Sequence, residues 1–590
     1  MSNFSRGLVV THSKVHGQKK AITSDDITTL EKETWAKILA RLNHLAHTRK
    51  NYTVDKVLNN WFGESNKEYS NGLLAKIIHS YVALEVNPQE LITINIWSNL
   101  TLLDKVLEHK NIEKPLVSND ESERRLFDIY IAINEEFGLK SDDIFKKIPE
   151  EKYPNIVDRF ARSTLTLLFP YHDINHFTAI ELLVVNFIKA YYCFKFLEKS
   201  HPELLKLFLL PYKSESWQDY LKAILPVVDH AITKGNDSGL NYLSIEHSPE
   251  PEKSKIFLDF LSLVDQTEYI IKTDFLHARA HPLFKTADGS YLIMDAILIV
   301  NRVYNSIFFE ILRLAEKNKK LKPAYKDFFS EYTTNFIEKY LGYTLLEQIF
   351  ENTRYYRISG DEIKTNFEVD TEPDYYVRNG NKIFLFEIKG SFITGDSKQS
   401  FSYDIIEPEL KLKFLYNDIK GEKKAILQLV ERIVILFEGK ASYDPNYKPS
   451  NIRIYPILVF SEIILTTPGV SHVFNNWFWE EIEKHEILKK NKHRIYDLVL
   501  IDIDTLILYT DQFKTQNSLF ESTILEYYSA IDNAKAIARI KIKANPGVNP
   551  KKELERLIMG CLEPFNRFIK NKIPVTTPRS FLEFGYDILK

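Results

Sequence analysis

Two cysteines, Cys193 and Cys561, in 590 residues are too few for a disulfide framework or a cysteine-built zinc site. The chain also has little net charge, with a formal balance of -3 at pH 7. Bulk charge therefore announces no nucleic-acid partner, and such a partner would need a local basic patch. The longest apolar runs, such as "AILQLVERIVILF", are interrupted by charges and fall short of a membrane span. The opening "MSNFSRGLVVTHSKVHGQKK" has neither a long apolar core nor a small-residue cleavage site. No glycine-rich phosphate loop or dinucleotide motif occurs, so ATP use is not indicated, and no fixed-period repeat is evident. These absences lead to an expectation of a cytoplasmic protein with no membrane association.

What is present is apolar material for large cores: 44% of all residues are hydrophobic and 13% of all residues are aromatic. From "SDDITTLEKETWAKILARLNHLAH" to about residue 265 the pattern is helical. Apolar residues recur at intervals of three and four, as in Ile27, Leu30, Trp35, Ile38 and Leu42. The texture changes near residue 275. "HARAHPLFKTADGSYLIMDAILIV" reads as two strands around Asp288-Gly289, with His277, Arg279 and His281 alternating on the first. Helices alternate with strands after that: "RVYNSIFFEILRLAEKN", "YKDFFSEYTTNFIEKYLGYTLLEQIF", a hairpin at 371–390, "EKKAILQLVERIVILFEG", "IRIYPILVFSE", "SHVFNNWFWEEIEKHEIL" and "YDLVLIDIDTL". The expected organisation is a mainly helical recognition region over 1–270, a connecting strand pair and helix over 271–320, an α/β core over 321–515, and a helical extension over 516–590.

The hairpin "TEPDYYVRNGNKIFLFEIKG" poses the sharpest question, because its apolar second strand ends in Glu387 and Lys389. Asn379-Gly380 is a strong two-residue turn signal. A turn centred there pairs Arg378 with Asn381 and sets Asp374 opposite Leu385. By strand alternation, Asp374 then shares a face with Glu387 and Lys389. Two carboxylates at that range repel and suit a shared hard cation such as Mg²⁺, while the ammonium can hold a water or offset developing charge. A plain cross-strand salt-bridge cluster is the bland counterpart of this arrangement. It is opposed by the apolar character of "KIFLFEIKG" on both faces.

"EPD" at 372–374 followed by "EIK" at 387–389 resembles the PD-(D/E)XK nuclease superfamily. The resemblance covers about a third of the chain, residues 321–510. It implies a restriction-endonuclease-like mixed sheet flanked by helices, so that the whole reads as a multidomain α plus α/β protein. It also implies Mg²⁺-dependent hydrolysis of nucleic acid, DNA before RNA, with Mn²⁺ substituting. By family role Asp374 and Glu387 would be metal ligands and Lys389 would help activate the water. Glu338, on an aliphatic stripe of the preceding helix, would be a third ligand, with Glu347 as its rival. Gln428 on the following helix would complete the site, with Lys424 one turn earlier near a phosphate. Asp370 and Glu372 share the parity of Asp374 and compete with it as ligands. By analogy of layout the cellular role is that of an anti-phage or restriction effector, with a signal or partner at the helical half and a homodimer for double-strand cutting. The alternative is a catalytically inactive nuclease-like module that binds nucleic acid or protein. Outside this region, His172, Asp173 and His176 in "FPYHDINHF" have helical metal-ligand spacing but no evident third ligand, and "KHEILKKNKHR" is a basic run suited to backbone phosphates.

Overall fold

The computed structural model describes residues 9–47, 53–82, 91–109, 120–141, 144–175, 178–233, 240–246, 248–263, 273–320, 323–369, 371–516, 518–544 and 551–590. Up to residue 240 the chain is built from helices, as the periodicity predicts, and local capping explains where several begin. The helical stretch expected to reach about residue 265 is broken by two short strands, Tyr242–Leu243 and Ser262–Leu263, which pair with the strands around Asp288-Gly289. Thr23 and Asp26 form a reciprocal capping box, and Asn95, Asn155 and Thr178 each accept a backbone N–H from the first turn that follows. Ile27, Leu30, Trp35 and Leu42 of the predicted stripe are buried. The Ala179–Ser200 helix is buried on most sides from Leu182 to Leu197, as an almost uniformly apolar helix must be. Among the described residues no helix is long and apolar enough to cross a membrane.

Two sheets follow. The smaller has the order β1-β4-β3-β2, with β1 Tyr242–Leu243, β2 Ser262–Leu263, β3 Leu283–Lys285 and β4 Tyr291–Ile293. The predicted turn at Asp288-Gly289 joins β3 to β4, with Gly289 at φ +84°. The predicted strand over "HARA" is instead a helical turn, Leu276–Ala280. The reason is tertiary. Arg279 is drawn inward to Asp173 at 3.0 Å and Asp274 at 2.9 Å, so it is not part of an exposed basic edge.

The larger sheet contains β5 Tyr356–Ser359, β6 Tyr375–Asn379, β7 Lys382–Lys389, β10 Arg453–Phe460 and β11 Val499–Asp502, in the order β11-β10-β7-β6-β5. The intervening β8 Tyr416–Asn417 and β9 Glu422–Lys423 form a separate small hairpin. β5, β6 and β7 are an antiparallel meander, while β7, β10 and β11 run parallel. The β7–β10 crossover includes the Ala425–Phe437 helix, as a parallel connection requires. β11 ends at Asp502, short of the predicted "IDTL", because the Asp502 side chain accepts the Thr505 N–H at 2.7 Å and starts a helix, Ile503–Thr515.

β7 is covered on both faces. Phe384, Phe386 and Ile388 face one core with Phe336, Leu341 and Tyr455, while Ile383 and Leu385 face the other with Ile426, Leu429 and Ile433. The first core runs from Val9 to Ile588 and so passes through all four stretches marked out in the sequence. Phe196 meets Phe336 at 5.5 Å, and Tyr191 stacks on Phe584 at 3.9 Å.

A second seam between early and late chain depends on Gly469. Its φ is +100°, and a Cβ there would lie 2.3 Å from the Ala161 carbonyl oxygen. Gly469→Ala combines left-handed strain, about 1–3 kcal/mol, with a backbone clash of about 1–3 kcal/mol. The expected outcome is a loss of at least about 2 kcal/mol in urea unfolding with a single coincident transition by fluorescence and circular dichroism. A negligible change would mean the two regions do not share this contact.

Candidate active site

The hairpin places the first two acidic groups. The observed register pairs Asn379 with Lys382, Arg378 with Ile383 and Tyr375 with Phe386. The turn residues are therefore Gly380 and Asn381, not the expected Asn379 and Gly380. Gly380 has φ +62° and Asn379 is the last strand residue, which is the form with glycine at the first central position. Neighbouring strands decide this choice: Asn381 accepts from Arg453 N–H at 2.8 Å and donates to the Asn451 carbonyl at 3.1 Å. The slip relative to the expected pairing is two residues. Because two is the period of a strand, every side chain keeps its face. Continuing the ladder one step sets Asp374 opposite Glu387, not opposite Leu385. The Asp374 carbonyl accepts from Gly360 N–H at 2.8 Å, which holds its backbone to β5, and its Oδ2 accepts from Ile388 N–H at 2.7 Å.

Glu387 is completely buried, and a buried carboxylate requires charged partners. Lys389 Nζ lies 2.6 Å from its Oε1 and 3.9 Å from Asp374 Oδ2. Arg432, from the Ala425–Phe437 helix, pairs with its Oε2. Burial pushes the Glu387 carboxyl up, the Arg432 guanidinium pulls it down, and Asp374 pushes it up again. Burial works against the Lys389 ammonium, yet Glu387, Asp374 and Glu338 together hold it above its ordinary range.

Glu338 arrives from the other face. The Tyr332–Gly342 segment has the wider i→i+5 turns of a π-helix, a form common near functional sites. Two glycines let it cross the end of β7 closely. A Cβ on Gly390 would lie 2.8 Å from Thr333 Cβ and 3.1 Å from its carbonyl oxygen, and one on Gly342 would lie 2.8 Å from Ile388 Cδ1. Glu338 Oε1 thereby accepts the Gly390 N–H at 3.2 Å. Its carboxyl is pushed up to about 7, first by burial and then by Asp374 and Glu387, against the pull of Lys389 and the Gly390 N–H.

The remaining sequence candidates sort by what holds them. Glu347 binds Arg357 at 2.7 Å and takes the Tyr375 hydroxyl, so Glu338 is the helix carboxylate that joins the cluster. Glu372 is paired with Lys364 at 2.7 Å, and Asp370 lies outside the described residues. Gln428 sits one turn before Arg432, half-buried, and no hydrogen bond ties it to the carboxylates among the described residues. Lys424 pairs with Glu422 at 2.6 Å. Arg432 is the residue that sequence reasoning missed. Its signal was a second charge beside Glu431 in an apolar helix, four residues after Gln428 and so on the same face. His172 is buried and bonded to Thr466 Oγ1 at 2.9 Å, Asp173 is taken by Arg279 and Lys398, and His176 lies outside the described residues. The basic run near 490 is answered by local acids, Lys484 by Glu481 and Lys489 by Glu486. No protein-family model, curated protein or solved structure matches this chain.

Two outcomes follow from these electrostatics. Arg432→Met leaves a buried carboxylate with Lys389 alone, and the expected cost is about 3 kcal/mol in urea unfolding. An Arg432→Met chain as stable as wild type would show that Lys389 suffices. For Glu338 the native state holds a proton that the unfolded chain, at an ordinary value of 4.5, has already released. The stability this contributes is complete below about pH 4.5 and is lost as pH rises through about 7. The wild-type urea midpoint should fall across that window relative to Glu338→Gln, and parallel curves would contradict the assignment.

Proposed function

We propose that this chain is a metal-dependent nuclease of the PD-(D/E)XK type, hydrolysing phosphodiester bonds of nucleic acid, DNA before RNA. The observation that carries the reading is the convergence of Glu338, Asp374, Glu387 and Lys389 at the end of one central strand. The order of elements supports it: a helix with a carboxylate, an antiparallel meander, a helix, then a strand parallel to the last strand of the meander.

The donor set suits Mg²⁺, which takes oxygen ligands and few of them from protein. Burial first, then the nearby carboxylates Asp374 and Glu387, raises Glu338 to about 7, and a divalent cation would relieve the mutual repulsion of the three carboxylates. Asp374 and Glu338 each use one oxygen on a backbone N–H, while both oxygens of Glu387 face cationic side chains. Asp374 and Glu338 would therefore hold the ion, with Glu387 joining when Lys389 or Arg432 yields an oxygen. When bound, the ion polarises a phosphoryl oxygen and acidifies a water. Lys389, held by Glu387 and Asp374, orients the attacking water and offsets charge on the phosphorane. Glu338 binds the ion only after losing its proton.

The pairing of Arg432 with Glu387 favours a second reading, in which the cluster is neutralised without metal and the fold serves as a binding module. Cleavage assays separate the two. Plasmid and single-stranded DNA and RNA should be cut with Mg²⁺ or Mn²⁺ and spared in chelator. Lys389→Ala and Asp374→Asn should each lose roughly a hundredfold or more in rate, and the wild-type rate should climb as pH passes about 7. Metal-independent binding with no cleavage, equal in Asp374→Asn and wild type, would establish the binding module instead.

A further inference from the structure

The first helix of the chain, His12–His16, places two imidazoles one turn apart, and their rings approach to 4.6 Å between centroids. They face Asp128 on the long Asp120–Ser141 helix: His16 Nε2 is 3.0 Å from Asp128 Oδ1. One ligand atom from each of the three residues lies within 4.8 Å of the other two. We propose that His12, His16 and Asp128 form a second metal site, for Zn²⁺, that fastens the first helix to the Asp120–Ser141 helix.

The chemistry of the donors selects the ion. Two imidazole nitrogens and one carboxylate oxygen suit zinc, whereas Mg²⁺ prefers oxygen alone. His12 is 6% exposed, and its Nδ1 lies 2.8 Å from the Gln18 carbonyl oxygen. A carbonyl only accepts, so Nδ1 carries the proton and the neutral ring keeps its lone pair at Nε2. Such an outer hydrogen bond orients a histidine ligand and sets its tautomer. Ligand atoms around a four-coordinate zinc sit roughly 3.3 Å apart, so a small swing of side chains closes the site.

The scaffold holds the ligands in place without the ion. Glu135, seven residues beyond Asp128 on the same helix, accepts from both Ser13 N–H at 2.8 Å and Ser13 Oγ at 2.9 Å. Asn134 donates to the Val10 carbonyl at 3.0 Å, and Tyr81 accepts the Thr11 N–H at 3.1 Å. The approach to His12 is thus pinned from two helices, and the three ligands meet in a partly exposed position that an ion can enter. Three protein ligands leave the fourth position to water.

The test uses the full-length chain, with Zn²⁺ in equilibrium dialysis and Co²⁺ as a spectroscopic probe. Wild type should bind one Zn²⁺ per chain through this site and give the visible absorption of four-coordinate Co²⁺. His16→Gln and Asp128→Asn should each weaken binding at least roughly tenfold and abolish the Co²⁺ bands, while Asp374→Asn retains them. Zn²⁺ should also raise the melting temperature of wild type and of Asp374→Asn alone. Should His16→Gln fail to fold, Asp128→Asn reports by itself, since a carboxamide keeps the size of the carboxylate. Wild type without the Co²⁺ bands, or bands that survive both His16→Gln and Asp128→Asn, would overturn the proposal. Neither result bears on the nuclease reading, which depends on Asp374 and Lys389.

Discussion

A carboxylate with no solvent exposure in the middle strand of a sheet is the constraint to which the surrounding structure answers. Glu387 occupies a position where its neighbours Leu385 and Ile383 are plain core, and burial alone would drive it to take up a proton. Two cations from different directions meet it, Lys389 along its own strand and Arg432 from the helix laid across that face. Asp374 is then held close to the same ammonium. The cluster is high in energy unless all its members are present, and that dependence makes its position in the fold specific.

Close approach of backbones is the second requirement. Glu338 reaches the cluster because Gly390 and Gly342 let the Tyr332–Gly342 segment cross the end of β7 nearer than side chains would permit. The chain leaving β7 is then held on several sides. Glu462 accepts the Ile393 N–H at 2.5 Å, Glu409 accepts the Thr394 N–H at 2.9 Å, and Lys398 lies 3.0 Å from Asp173 and 2.8 Å from Asp274. Burial pushes the Glu462 carboxyl up to about 8, against the pull of Lys398. Asp173 belongs to the helical part of the chain, so the exit from the central strand is tied directly to that part. A domain boundary drawn on composition alone does not show that tie.

The same physics accounts for the stretches that departed from their sequence patterns. "HARAHP" has the alternation of an edge strand, but Arg279 satisfies two half-buried aspartates and the backbone turns helical to deliver it. "LIDIDTL" has strand composition throughout, yet Asp502 ends β11 by capping the next helix. In both places a charged side chain with a specific partner outweighed a propensity worth tenths of a kcal/mol per residue.

Strand parity was legible in the sequence, because alternation is local and a slip by two residues leaves it unchanged. The letters of the hairpin alone therefore put Asp374 on the face of Glu387 and Lys389. The helical periodicity was legible for the same reason up to about residue 240, though not to the expected 265, as were the turn at Asp288-Gly289 and the α/β texture of the later chain. Tertiary structure decided which residues turn the hairpin, since Asn381 is held by Arg453, the first residue of β10, and by Asn451 just before it, some seventy residues away. It also decided that Glu338 and not Glu347 joins the cluster, that Arg432 completes it, and that His12 and His16 meet Asp128. Each of these depends on how closely two distant segments approach, and one-dimensional patterns carry no measure of that distance.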